Sequence, residues 1–148
     1  MTDLHRRHLL VGGFAAAALL LAALGLQRGE EGVLSAAEAS ARVAAGELLI
    51  VDVRTPAEWR QTGIPRGAAR ADIHDSDFLA QVRRIVGGDR SRAIAVICAS
   101  GNRSARARQA LAAAGFDEVY DIKEGMVGGA HGRGWLAGGQ PTEPCHTC

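Results

Sequence analysis

Cys98 and Arg103 are the residues of this sequence whose types and spacing point most directly to chemistry. Cys98 directly follows an apolar run, and four small or polar residues separate it from Arg103. A cysteine thiolate is a strong nucleophile, and an arginine guanidinium can hold an oxyanion through paired hydrogen bonds. Gly101 permits a backbone turn that a β-carbon would strain. The pattern predicts a loop around a nucleophilic sulfur; the alternative is a buried, inert cysteine at a strand end.

A strand and a helix must position this loop. The stretch 92–98, with its apolar run over 93–97, is typical of a strand buried on both faces. The alanine-rich stretch 104–115 predicts a helix that Ser104 begins and Gly115 ends. Backbone N–H groups of a tight loop at a helix N-terminus form an anion site, which would stabilise a thiolate.

Earlier segments predict a second strand of the same kind. A capping box at 35–38 predicts the start of a helix that ends at Gly46. The apolar run 47–53 then predicts another buried strand, which carries Asp52 near its end and is followed by Arg54. Ligands of parallel α/β sheets bind at the carboxyl ends of strands, so these two residues and the cysteine loop should share one edge.

Three more elements complete the expected domain. Thr55 precedes a proline and predicts the cap of a short helix. Either Asp75 or Ser76 is expected to cap a helix over 78–86, and 118–122 predicts a third strand. Strands alternating with helices indicate a single α/β domain with a central, largely parallel sheet flanked by helices.

Composition narrows the functional class. The chain has 148 residues, enough for one ordinary domain, with 17 Lys+Arg against 16 Asp+Glu. Nucleic-acid binding as the main role would require a basic surplus or a clear basic face, so we expect no nucleic-acid partner. The loop residues His74 and His131 are expected to be solvated.

Residues 1–28 predict an export signal or a membrane anchor. A basic start that includes Arg6 and Arg7 precedes the uncharged, apolar stretch 9–26. That stretch is at the short end of the roughly 20 residues that span a bilayer, so cleavage and anchoring both remain open. The paired arginines resemble a twin-arginine signal. In either case we expect a bacterial periplasmic or extracytoplasmic domain, free or tethered through residues 9–26.

The C-terminal tail, residues 142–148, carries a CxxC pair, Cys145 and Cys148. Such a pair forms a dithiol or disulfide, or half of a metal site. Three alternatives remain open at this point. The pair is an exposed pair with little role or a simple disulfide, a redox pair or sulfur relay to Cys98, or a metal contact in which His146 is the only neighbouring ligand.

Five motifs in succession resemble a single-domain rhodanese. They cover about residues 33 to 141, and we expect the domain itself to occupy 29–141. The motifs are VDVRTPAEW (51–59), GIPRGA (63–68), VICASGNRSARARQALAAAGF (96–116), VYDIKEGM (119–126) and GWLAGGQP (134–141).

The resemblance implies a rhodanese-like α/β fold and a sulfurtransferase that needs neither a metal nor an organic cofactor. Cys98 would take a sulfane sulfur from thiosulfate, polysulfide or a persulfide and pass it to a thiol or cyanide. Asp52 and Arg54 would support the loop, and Glu58 and Trp59 would belong to the neighbouring packing. The residues implied as the sulfur cradle are Ala99, Ser100, Gly101, Asn102, Arg103 and Ser104.

Two other functions remain open from the sequence. Ala99 stands where thiosulfate-active relatives often have a basic residue, which weakens the case for thiosulfate as the donor. A non-catalytic sulfur carrier or partner-binding module is one alternative. A cysteine-dependent phosphatase or arsenate reductase is the other, but the loop is shorter than in tyrosine phosphatases, and Ile97 replaces the histidine that often precedes their nucleophile.

Overall fold

The computed structural model describes residues 31–148 and places five parallel strands in one sheet. The expected export segment, 1–28, and its apolar stretch, 9–26, lie outside the described residues. Within residues 31–148, no helix is both long and apolar enough to cross a membrane.

The central sheet confirms the expected parallel α/β architecture. Its neighbours run in the order β1-β6-β5-β2-β4. The third and seventh strands form a separate antiparallel ribbon. The strands are β1 (Val33–Leu34), β2 (Leu49–Asp52), β3 (Ile64–Pro65), β4 (Ala69–Arg70), β5 (Ile94–Ile97), β6 (Val119–Ile122) and β7 (Thr142–Glu143).

Helices cover the two faces of the sheet. On one face, Val51, Val96 and Cys98 belong to an apolar cluster with Phe78 and Leu111. On the other face, strand residues such as Ile50 and Ile97 pack in a cluster with Trp135. The helices are α1 (Ala36–Ala44), α2 (Pro56–Thr62), α3 (Phe78–Ile85), α4 (Asn102–Ala113) and α5 (Gly134–Ala137).

The first two helices begin as the sequence predicts. Ser35 accepts a hydrogen bond from the Glu38 backbone N–H, and the Glu38 side chain returns to the Ser35 N–H. Thr55 and Glu58 make the same reciprocal pair at α2, with Pro56 in the first turn. These bonds satisfy backbone donors that have no partner within the helix.

The expected caps of α3 are wrong. This helix begins after Asp77, which makes no side-chain cap hydrogen bond, so neither Asp75 nor Ser76 is its cap. The Phe78 N–H instead donates to the backbone oxygen of Asp75 at 3.1 Å. A backbone turn therefore satisfies the donor that a side chain was expected to bind.

The start of α4 also differs from the prediction. The helix begins at Asn102 and not at Ser104, because Gly101 occupies the cap position with a φ of 99°. This left-handed backbone turn needs no capping side chain. Arg103 therefore lies in the first helical turn and not in the loop before it.

A buried ion pair joins β2 to α2. Asp52 is 0% and Arg54 1% exposed. Two guanidinium nitrogens of Arg54 donate to the Asp52 carboxylate, the shortest bond being 2.7 Å. The same guanidinium donates to Thr62 Oγ1 and the Gly63 carbonyl at the end of α2, both at 2.7 Å. A buried pair of this kind is stable only while all its hydrogen bonds are satisfied.

We expect Arg54→Met to lower the free energy of unfolding by about 3–5 kcal/mol, because it leaves a buried carboxylate without its partner. Urea unfolding followed by circular dichroism would measure the change. Arg84→Met is the matched control: it breaks the exposed pair with Asp77, whose loss should change the free energy of unfolding far less because both side chains are solvated. Equal losses in the two variants would contradict this account of Arg54.

Candidate active site

Cys98 lies at the carboxyl end of β5 and is 1% exposed. Its Sγ accepts a hydrogen bond from the Gly101 backbone N–H at 3.1 Å. Its thiol donates to Ser104 Oγ at 3.4 Å, and Ser104 in turn donates to the Gly101 carbonyl at 3.0 Å. The sulfur therefore sits inside a turn of its own loop, with one backbone donor already directed at it.

Gly101 is required at the centre of this turn. Its φ of 99° is a conformation that side chains with a β-carbon rarely adopt. A β-carbon there would also collide with the carbonyl oxygen of Lys123. The neighbouring Ser100 and Asn102 are exposed, and Ala99 is half-buried. The loop thus packs closely on the chain that follows β6 and opens to solvent through its polar residues.

The segment that follows β6, which the sequence analysis did not assign to the site, binds the backbone of the cysteine loop. The Met126 N–H donates to the Cys98 carbonyl at 2.8 Å, and the Val127 N–H donates to the Ala99 carbonyl at 3.0 Å. Gly125, with a φ of 67°, brings this backbone so near Ala99 that a β-carbon would collide with it. The sequence shows a glycine-rich stretch over 125–139, but no local pattern indicates which part of the fold this stretch contacts.

The Arg103 guanidinium is bound by Glu58. Its two terminal nitrogens donate to the two carboxylate oxygens at 2.8 and 2.6 Å. The hydrogen bonds from Arg103 lower the pKa of Glu58 from 4.5 to about 2, more than its partial burial raises it. The sequence analysis predicts that Arg103 is available to hold an oxyanion, and it assigns Glu58 to the packing beside the loop. The structure instead pairs the two residues bidentately at the start of α2 and α4.

Asp52 and Arg54, which the resemblance implies as supports of the cysteine loop, contact one another and the end of α2. Their hydrogen bonds go to one another, to the end of α2 and to Gly63. The same helix carries Glu58, which holds Arg103 in the first turn of α4. A series of side-chain contacts therefore runs from the sheet to α2 and from α2 to α4, and support of the cysteine loop by Asp52 and Arg54 stays a prediction.

Asp121 is a buried carboxyl beside the site that the sequence analysis did not single out. It is 4% exposed, and its Oδ1 has no hydrogen-bond partner among the described residues. Burial raises its pKa, although a hydrogen bond with Ser104 and nearby cations oppose the shift. His131, which is exposed as expected, is one of those cations when protonated and lies near Gly101.

The tail cysteines are joined to each other as a disulfide. They contact Arg70, on β4, while Cys98 is a free thiol. Among residues 31–148, no cluster of three or more His, Cys, Asp or Glu side chains could hold a metal ion. A sulfur relay between Cys98 and the pair stays a prediction.

Comparisons with known proteins give the fold a family. The chain is 31% identical over 98 residues to an uncharacterized protein of Rickettsia prowazekii, covering 62% of this chain and 80% of that one. It is 29% identical to the crystal structure of Rv0390 from M. tuberculosis, with a TM-score of 0.64 and coverage of 76% and 96%.

A thiosulfate sulfurtransferase from Pseudomonas aeruginosa is similar over one part of its length. The two are 26% identical with a TM-score of 0.60, over 76% of this chain but 20% of the other. A Rhodopseudomonas palustris structure described as a possible tyrosine phosphatase is 24% identical, with a TM-score of 0.59 and coverage of 97% and 99%. At that identity the likeness shows the fold alone.

The family model described as "Rhodanese-like domain" matches residues 35–131, which is more than half of the chain. This range contains β2, the cysteine loop and the segment that supports it. The chain therefore belongs to the rhodanese-like domain family.

Proposed function

We propose that this protein is a sulfurtransferase that carries a sulfane sulfur as a persulfide on Cys98. One observation carries the proposal: the Gly101 N–H donates to Cys98 Sγ at 3.1 Å, within a loop that leads into a helix N-terminus. A backbone donor directed at sulfur stabilises negative charge there without any rearrangement during the reaction. The family and its sulfurtransferase members support the same chemistry.

The transfer consists of two nucleophilic displacements. The Cys98 thiolate attacks the outer sulfur of the donor, whose sulfur–sulfur bond breaks, and the remainder leaves with the electron pair as sulfite, a thiolate or a shortened polysulfide. The Cys98 persulfide then gives its outer sulfur to an acceptor thiolate or cyanide. Cys98 leaves as a thiolate, so no net oxidation occurs and no cofactor is consumed.

The charge at the loop favours donors that do not depend on a free arginine. Within residues 98–104, Arg103 is the one cationic side chain, and Glu58 binds it through both terminal nitrogens. Ala99 adds no charge. Polysulfides and persulfides, which backbone N–H groups can hold through sulfur, are therefore better supported as donors than thiosulfate.

The short spacing between Cys98 and Arg103 and the contacts of both residues argue against phosphatase chemistry. The short loop holds its Gly101 N–H on the cysteine sulfur, whereas a phosphate would need several donors around a tetrahedral anion. The arginine that would clamp the phosphate is paired with Glu58. A non-catalytic sulfur carrier shares the persulfide step and differs only in lacking an acceptor reaction.

We expect Cys98→Ser to abolish both persulfide formation and sulfur transfer, because a serine hydroxyl is a poor nucleophile for sulfane sulfur. Purified protein would be incubated with polysulfide or thiosulfate and analysed by peptide mass spectrometry for a one-sulfur gain at residue 98. Release of sulfur to a thiol or to cyanide would be measured in the same samples.

The matched control is Cys145→Ser/Cys148→Ser, which removes the other cysteines and should keep the one-sulfur gain on Cys98. A persulfide that reaches no acceptor would identify a sulfur carrier. No sulfur gain with any donor would favour a partner-binding module, and hydrolysis of p-nitrophenyl phosphate that depends on Cys98 would favour the phosphatase.

We expect Glu58→Gln to lower the free energy of unfolding by up to about 1 kcal/mol at neutral pH, since the broken pair is partly exposed. Glutamine retains the capping box, so the change isolates the charge. With a folded pKa of about 2 against 4.5, Glu58 stabilises the fold fully above pH 4.5 and loses this contribution as the pH falls through 2. Urea unfolding at a series of pH values should show variant and wild type converging on acidification.

Asp121→Asn is the control, because its effect on the free energy of unfolding should depend on pH in the opposite direction. Burial raises the pKa of Asp121, so its ionised form costs stability as the pH rises. The asparagine variant should be more stable than wild type at neutral pH, and the gain should shrink towards acid. If Glu58→Gln showed this same pH dependence, the stabilising role given to the pair with Arg103 would be refuted.

We further propose that residues 1–28 export the domain, an inference that rests on the sequence pattern alone. Fractionation of a bacterium expressing the tagged chain should place it in the periplasm or the membrane. A variant lacking residues 1–28 should remain in the cytoplasm. A full-length chain found soluble in the cytoplasm would contradict the proposal.

A further inference from the structure

We propose that Cys145 and Cys148 form a redox-active thiol–disulfide site, with Arg70 stabilising its reduced form, that exchanges electrons with an external dithiol. The pair is joined as a disulfide and both cysteines are partly exposed. The proposal concerns a second site and does not depend on persulfide chemistry at Cys98.

The position of the tail does not depend on the disulfide. The residues before it are held by backbone pairing of β7 with β3, in the register Ile64 with Glu143 and Pro65 with Thr142. The Pro141 carbonyl also accepts hydrogen bonds from the Arg66 N–H at 3.0 Å and from Trp135 Nε1 at 2.9 Å. Reduction of the disulfide should therefore leave the tail in place.

The disulfide is also a weak structural crosslink. It joins residues only three positions apart. Closing so short a loop removes little conformational entropy from the unfolded chain, and the stabilisation from a disulfide grows with the length of the loop it closes. A purely structural role is thus poorly supported by the geometry.

Arg70 supplies the feature that points to exchange chemistry. Its Nη1 lies 2.7 Å from Cys145 Sγ and 2.6 Å from Cys148 Sγ. The guanidinium also lies 5.9 Å from the centre of the Trp59 ring, and Arg60 donates to the Cys148 carbonyl. A fixed cation beside two sulfurs stabilises whichever of them becomes a thiolate, which favours the dithiol and makes each sulfur a better leaving group.

The exchange proceeds in two displacements. A thiolate of the external dithiol attacks one cysteine sulfur, the bond between Cys145 and Cys148 breaks, and the displaced sulfur leaves as a thiolate beside Arg70. The second thiol of the external dithiol then loses its proton and attacks the mixed disulfide, which frees the other cysteine. Two electrons pass to the pair, and the external dithiol becomes a disulfide.

The test uses the full chain carrying Cys98→Ser, so that only the tail thiols react. The protein is equilibrated in buffers of reduced and oxidised glutathione, quenched in acid and alkylated, and the reduced fraction is read by intact mass spectrometry. We expect Arg70→Gln to shift the equilibrium about fivefold towards the disulfide at neutral pH. The shift should shrink as the pH falls to about 5, because a protonated thiol carries no charge for the guanidinium to stabilise.

Arg83→Gln is the matched control, since it removes the same charge from an exposed position on α3 and should leave the equilibrium unchanged. An equilibrium constant for Arg70→Gln equal to that of the control would overturn the proposal. A disulfide that dithiothreitol reduces only after urea has unfolded the domain would also overturn it, because that result identifies a structural crosslink.

Discussion

The buried ion pair between Asp52 and Arg54 links the parallel sheet to the helix that organises the candidate site. A carboxylate at a fully buried strand end requires a cation, and the guanidinium that meets it uses its remaining donors on the end of α2. The position of α2 thereby follows from the sheet. Because α2 carries Glu58, the ion pair between Asp52 and Arg54 also positions the carboxylate that binds Arg103.

The cysteine loop is held mainly by backbone atoms. Gly101 provides the donor to sulfur, and Met126 and Val127 bind the carbonyls of Cys98 and Ala99. Backbone N–H and C=O groups carry no net charge and need no rearrangement, so they suit the persulfide chemistry proposed for Cys98. The charged residues around the loop, Glu58 and Arg103, neutralise each other.

The two cysteine sites contact different strands of the central sheet and differ in exposure. Cys98 follows β5, is buried and is a free thiol. The tail pair contacts Arg70 at the end of β4, two strands along the sheet, and is partly exposed beside a cation. The first sulfur is shielded from solvent, while the second pair is partly accessible to it. Both sites depend on the same register, in which Asp52 lies opposite Arg70 and Ile97.

The sequence by itself determined the elements whose signals are local. Apolar runs predict the buried strands, and the order of motifs predicts the family. The capping box at 35–38 predicts the start of α1, and Thr55 before a proline predicts the start of α2. Each of these signals acts within a few residues. The tertiary structure alone decided which distant groups meet. It paired Arg103 with Glu58, placed Asp121 near Ser104, brought Gly125 against Ala99 and set Arg70 beside the tail sulfurs. These contacts join residues far apart in the chain, and they form only when sheet order and helix packing bring the elements together.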